Sequence, residues 1–172
     1  MRVAAIIVAL LAVPSDAEGE TLTLASTAPE YLSDSTADEH LAAARKAGEA
    51  HDVDPAVLLS IAYYESRYQH SARTKEPQGK TSCGVMTPIP KRKCVSGTIE
   101  AGYEEGAAHL RGWLNVTGGN LRRAMIGYAG GYALLRACAK GPYVIDGRDT
   151  CRFVVERRLV RAARIRRAIG KV

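Results

Sequence analysis

Glu65 is the residue in this chain whose type and setting point most clearly to chemistry. It ends the apolar run Leu58-Leu59-Ser60-Ile61-Ala62-Tyr63-Tyr64. Desolvation penalises the ionised form of a carboxyl group, so apolar neighbours favour the protonated form, and a protonated carboxylic acid near neutral pH is what general-acid catalysis requires. One such acid suggests cleavage of a glycosidic bond.

The elements that must position Glu65 read as helices almost throughout. A first helix is expected over residues 37–50, capped by Ser35 or Thr36, with Asp38 and Glu39 in the turn where the helix dipole favours acids. The second starts at Asp54 as cap with Pro55 at the first helical position, where its missing N–H costs nothing. Val57, Leu58, Ile61, Ala62 and Glu65 then recur three and four residues apart, which puts Glu65 on or beside the buried face near the helix end. From Gln69 to Gly97 the composition turns to Pro, Gly, Lys, Ser and Thr, as in turns or a small irregular hairpin. Thr98 caps a third helix through Trp113 and Leu114. Gly118-Gly119 ends it, Asn120 caps another, Gly130-Gly131 interrupts that one, and a last helix runs from near Thr150 to about Ile169.

The chain's first residues read as an export signal. Met1-Arg2 precede an apolar stretch from Val3 to Val13, then Pro14 and a small-x-small cleavage site at Ser15-Asp16-Ala17. The apolar stretch is far shorter than the roughly 20 residues that span a bilayer, so no stable membrane anchor is expected after cleavage. Residues 18–36 show no sustained period and read as a flexible leader. Residues 37–172 then form one domain, long enough to bury a core by itself and expected to be a monomer. Cys83, Cys94, Cys138 and Cys151 suit two disulfides in an exported chain. Three connectivities are possible, of which the local pairs Cys83 with Cys94 and Cys138 with Cys151 are favoured. No C-x-x-C pair or H-E-x-x-H motif is present and the four histidines are scattered, so neither a metal nor another cofactor is expected.

From Ser35 onward the chain carries 23 Lys and Arg against 13 Asp and Glu, a balance of +10 against +6 for the whole chain. Such a domain suits an anionic partner such as a bacterial cell wall or an acidic membrane. Much of the charge is the run Arg157, Arg158, Arg161, Arg164, Arg166 and Arg167, which reads as the solvated face of an amphipathic helix. One Phe and one Trp make no stacking platform for bases, and export argues against nucleic acid as partner.

Four segments, in order, resemble the transglycosylase SLT family, the lysozyme-like domain of lytic transglycosylases. Glu65-Ser66 looks like its Glu-Ser motif. Gly84-Val85-Met86-Thr87-Pro88-Ile89-Pro90 resembles Gly-Leu-Met-Gln-Leu-Met-Pro. Ala124 to Gly131, with Tyr128-Ala129-Gly130-Gly131, resembles Ala-x-x-x-Tyr-Asn-Gly-Gly, and Phe153-Val154-Val155-Glu156-Arg157 resembles the start of the closing helix. Thr87 and Ala129 depart from the usual Gln and Asn, which removes two amides expected near the sugar.

The resemblance implies a mainly α, lysozyme-like fold, stapled by disulfides, that acts on peptidoglycan glycan strands outside the cytoplasm. Glu65 would be acid and then base, Tyr128 would hydrogen-bond Glu65, Ser66 would position it or contact sugar, and Met86 and Thr87 would line the saccharide groove. Ordinary glycosidases use two carboxylates. Beside Glu65 the sequence offers only Glu76, in a loop. A lytic transglycosylase needs only one, because the substrate's own 6-hydroxyl attacks and leaves a 1,6-anhydro end. A hydrolase of the same bond, a wall-binding module without turnover, and a basic membrane-active protein are the alternatives.

Overall fold

The computed structural model describes residues 23–75, 81–87 and 97–170. The signal read at 1–17, Glu76, Cys94 and Pro88-Ile89-Pro90 lie outside them. The described residues are mainly helical: α1 (Leu24–Thr27), α2 (Asp34–His51), α3 (Pro55–Ser66), α4 (Ile99–Val116), α5 (Leu121–Ala139) and α6 (Thr150–Ile169). Two antiparallel strand pairs accompany them, β1 (Arg73–Lys75) with β2 (Thr81–Cys83) and β3 (Val144–Ile145) with β4 (Arg148–Asp149). Arg73 pairs with Cys83 in the first and Val144 with Asp149 in the second.

Helix starts follow local chemistry. Asp54 Oδ1 accepts the Ala56 N–H at 2.7 Å ahead of Pro55, while its Oδ2 takes the Arg166 Nε of α6 at 3.0 Å, so one cap residue also ties two helices. Thr98, Asn120 and Asp149 cap α4, α5 and α6. The start of α2 differs from expectation, since Ser33 is the cap. Ser33 and Thr36 form a reciprocal box in which each side chain accepts the other's backbone N–H.

The leader expected over residues 18–36 is corrected for its described part. Leu24, Ala28 and Leu32 lie in the core, four residues apart along the chain, and the Thr27 carbonyl accepts Arg161 Nη1 at 3.0 Å. Short apolar side chains spaced along a polar stretch were enough to anchor it. The β3–β4 hairpin was also not anticipated. Asp146 and Gly147 both have positive φ, at 49° and 74°, the geometry of a two-residue Asp-Gly hairpin turn.

Helix α3 is the centre of the molecule. Residues 56–62 are all buried, and the helix packs against α2 and α6, while α4 packs against α2 and α5. A helix apolar on every side must be enclosed in this way. Ser60 Oγ donates to the Arg158 carbonyl at 2.6 Å inside the α3–α6 contact. Between α2 and α4, buried His40 Nδ1 lies 3.1 Å from the Tyr103 hydroxyl.

Burial pushes His40 down to about 4 from 6.5, nearby His70 acts in the same direction, and a hydrogen bond with the Tyr68 backbone opposes them. The unfolded chain therefore binds a proton between pH 6.5 and 4 that the folded chain refuses. Stability contributed by neutral His40 is complete above about pH 6.5, falls as pH drops toward 4, and is level below it, a span of about 3 kcal/mol. Melting temperatures at pH 7, 5.5 and 4 are expected to fall in that order, and to fall less steeply in His40→Gln. An unchanged slope in the variant would place the acid sensitivity elsewhere.

Cys138 and Cys151 form a disulfide across 13 residues of sequence, closing the segment that carries β3 and β4. Cys83 is disulfide-bonded too, and its expected partner Cys94 lies outside the described residues. A loop of this length is worth about 3 kcal/mol in the chain-entropy model. The double variant Cys138→Ala/Cys151→Ala is expected to melt about 10 °C lower than the parent. An unchanged melting temperature would mean that helix packing alone holds the ends of α5 and α6.

Among the described residues, no helix is long and apolar enough to cross a membrane. Among the same residues no group of His, Cys, Asp and Glu could hold a metal ion.

Candidate active site

Three parts of the chain meet at Glu65, namely the end of α3, the 84–87 segment and α6. The residue sits in the last turn of α3, where Arg67, in the left-handed region with φ of 55°, stops the helix. Its Oε2 accepts the Thr87 hydroxyl at 3.1 Å, and its Oε1 accepts Arg158 Nη2 of α6. The Glu65 side chain retains 23% exposure while that of Arg158 retains 8%, so a substrate can reach the carboxylate but not the guanidinium behind it. The apolar surroundings expected for Glu65 are thereby corrected: its carboxylate is held as one half of an ion pair.

Arg158 is the residue that sequence reading missed. It belongs to a run taken for a solvated face, yet it is buried on the stripe Val155, Arg158, Ala162 and Ile165. Spacing of three, four and three residues was the available signal. Its Nη1 donates to the Val154 carbonyl at 3.0 Å. Salt bridges from Glu65 to Arg67 or Arg73, the alternatives for a merely structural glutamate, are not among the ion pairs of the described residues.

The segment 84–87 reaches Glu65 because α4 has room for it. A methyl group at Gly102 would stand 2.9 Å from Val85 Cγ1, and one at Gly106 would stand 2.6 Å from Met86 Cβ. Only hydrogen at those positions lets the loop lie on the helix. Ser66 Oγ, buried, donates to the Val85 carbonyl at 2.5 Å and so fastens the loop to the end of α3. Thr87 ends the segment with φ of 41°, an uncommon conformation for a β-branched residue that costs of order 1–3 kcal/mol. That strain accompanies the aim of its hydroxyl at Glu65.

Two expected roles change. Tyr128 does not hydrogen-bond Glu65. Its hydroxyl donates to the Met86 carbonyl at 2.8 Å, which places it under the loop. Burial and then the charge of Glu65 push the Tyr128 hydroxyl well above its usual range, against the opposing charge of Arg158, so it stays a donor. Met86 is fully buried and lines no open groove; its side chain fills the slot beside Gly106, and only its carbonyl serves the site. Ser66, Met86 and Tyr128 therefore position the loop that carries Thr87, and of these expected residues Thr87 is the one that touches the carboxylate, beside Arg158.

A line of rings leads away from Tyr128. His109 packs against it at 5.0 Å, Trp113 Nε1 donates to His109 Nε2 at 3.2 Å, and Tyr132 tilts over Trp113 at 4.8 Å with about half its surface exposed. The kink that presents Tyr132 falls at Gly130-Gly131, where Gly131 takes φ of 64° and ψ of −161°. Apolar ring faces with a polar edge are suited to the C–H faces of a sugar.

Among the described residues, no second carboxylate is bonded to Thr87, Arg158 or Tyr128. Glu156, on α6, is engaged by Arg122 and Arg152. Among the described residues the site thus offers one reachable carboxylate, fixed at both oxygens. No protein-family model matches this chain, and no curated protein sequence matches it. Fold and site together define a mainly helical, disulfide-bonded domain built around a Glu–Arg pair.

Proposed function

We propose that the protein is an exported, lysozyme-like lytic transglycosylase that cleaves the β-1,4 bond between N-acetylmuramic acid and N-acetylglucosamine in peptidoglycan. One observation carries the reading: of the four stretches whose order resembles the transglycosylase SLT family, Glu65-Ser66 and the 84–87 segment meet at one carboxylate, Tyr128 holds that segment through the Met86 carbonyl, and Arg158, the residue after the fourth stretch, pairs with the carboxylate. The disulfide Cys138–Cys151 suits an exported chain.

This mechanism requires Glu65 to carry a proton when the C1–O bond breaks, a state that the Arg158 ion pair opposes; Glu65 then gives that proton to the bridging oxygen, with the substrate's acetamido group assisting departure. The glutamate, now a carboxylate, takes the proton of the muramic 6-hydroxyl, and that oxygen bonds to C1. Arg158 stabilises the carboxylate produced by the first step and used by the second. Thr87 holds the other oxygen, which fixes the direction in which the proton moves. Among the described residues, which do not include Glu76, no second carboxylate contacts Glu65, and a single carboxylate suits ring closure rather than hydrolysis.

The test is the product. Isolated sacculi incubated with the protein are expected to release muropeptides with 1,6-anhydro ends, read by mass spectrometry, and Glu65→Gln is expected to remove them. Reducing ends in their place would make the protein a muramidase.

A further inference from the structure

Beside Glu65 the surface carries guanidinium groups that aromatic rings hold and that are in no salt bridge among the described residues. Arg161 lies 3.2 Å from the Tyr63 ring centre and Arg67 lies 4.5 Å from the same ring. Arg157 stands between two rings, 4.3 Å from Tyr64 and 4.0 Å from Phe153, and Arg148 approaches Phe153 at 5.4 Å. Such stacking fixes a guanidinium in place while leaving most of its donors and its charge unspent.

Among the described residues none of these four arginines is in a salt bridge. Arg67 spends one nitrogen on the Tyr63 carbonyl and Arg161 one on Thr27. The Arg157 Nε is buried and has no hydrogen-bond partner. Of the nearby acids, Glu65 holds Arg158, while Glu30 accepts the Tyr63 hydroxyl at 3.5 Å and is in no salt bridge among the described residues. Burial pulls Arg157 below its usual range, Tyr64 opposes it, and the charges of Arg158, Arg67 and Arg148 add smaller contributions to the lowering. The cluster adjoins the site directly, because Tyr64 precedes Glu65 and Arg158 lies 5.8 Å from the Tyr64 ring.

We propose that Arg67, Arg157 and Arg161 form an anion subsite next to Glu65 that takes carboxylate or phosphate groups carried by the wall glycan. The inference rests on the peptidoglycan reading for the identity of the glycan. It adds a substrate preference, for strands whose substituents are ionised over strands whose substituents are neutral. Planar guanidinium forks match both oxyanions, and an anion held there sets the adjacent sugar bond against Glu65.

Binding tests it without turnover. The full exported chain carrying Glu65→Gln is sedimented with three sacculus preparations: untreated, stripped of wall phosphate by hydrofluoric acid, and with free carboxyls converted to neutral amides. The same is done after adding Arg67→Gln and Arg157→Gln together. Both side chains are at least partly exposed, so the added changes are expected to leave the melting curve in place. The double arginine change is expected to weaken binding to untreated sacculi by about tenfold in moderate salt. One treatment is expected to lower the parent to the same level and leave the double variant unaffected, and that treatment names carboxylate or phosphate as the source.

Equal binding with and without the two arginines overturns the proposal. Equal losses on treatment in both overturn it too, since they mean general charge attraction. Should the unsubstituted chain release no anhydro products, the enzymatic reading falls, while these binding results keep their meaning.

Discussion

Glu65→Gln is expected to reduce release of anhydro muropeptides by about 10²–10⁴-fold, the range over which a positioned acid or base accelerates proton transfer. The amide keeps the shape: its oxygen can still accept from Arg158, and its NH2 then faces the Thr87 hydroxyl, which can turn to accept from it. It cannot give a proton to the bridging oxygen or take one from the 6-hydroxyl, so both halves of the cycle stop. Substrate binding is expected to persist, because the rings from Tyr128 to Tyr132 and the arginines around Tyr63 and Tyr64 are untouched. The split is the informative feature: turnover lost, sacculus binding retained, fold retained. A Glu65→Gln protein that produces anhydro ends at the parent's rate would falsify the assignment. If neither parent nor variant releases fragments while both bind alike, the domain is a wall-binding module.

The helices around Glu65 were legible because each start is written in adjacent residues. Asp54-Pro55, Thr98, Asn120 and the Thr150 start of α6 depend on one side chain meeting a backbone N–H a few residues on. What could not be read locally are the contacts that close the site. Arg158 and Glu65 are 93 residues apart, and the arginine sits in a run whose net charge conceals that one member lies on the apolar stripe. Thr87 was expected to line the saccharide groove and to lack the usual amide, whereas its hydroxyl reaches Glu65 because Gly102 and Gly106 let the loop down onto α4. Tyr128 was anticipated in the right place with the wrong acceptor. Whether a buried tyrosine meets a carboxylate or the carbonyl 42 residues before it depends on a loop position that no periodicity encodes.

Arg158→Met is expected to lower stability by about 2–3 kcal/mol and to reduce kcat more than KM. Removing one partner of a fully buried ion pair costs about 3–5 kcal/mol, because the other charge is left stranded. Here the stranded group is Glu65, whose partial exposure lets water take over some of that burden, which sets the lower figure. Methionine is chosen because its length and flexibility fill the guanidinium's channel between α3 and α6 with apolar atoms. Coupling separates the pair from mere packing. If the charges hold each other, Glu65→Gln and Arg158→Met together are expected to cost about 1–2 kcal/mol less than the sum of the single changes, measured by urea unfolding. Strict additivity would mean that Arg158 acts only by filling space. In catalysis the same guanidinium is asked to stabilise a carboxylate that exists between the two proton transfers, so its loss is expected to slow the parent enzyme by about 10–100-fold at saturating substrate. A rise in KM alone would instead assign Arg158 to substrate binding, which its burial behind Glu65 makes hard to sustain.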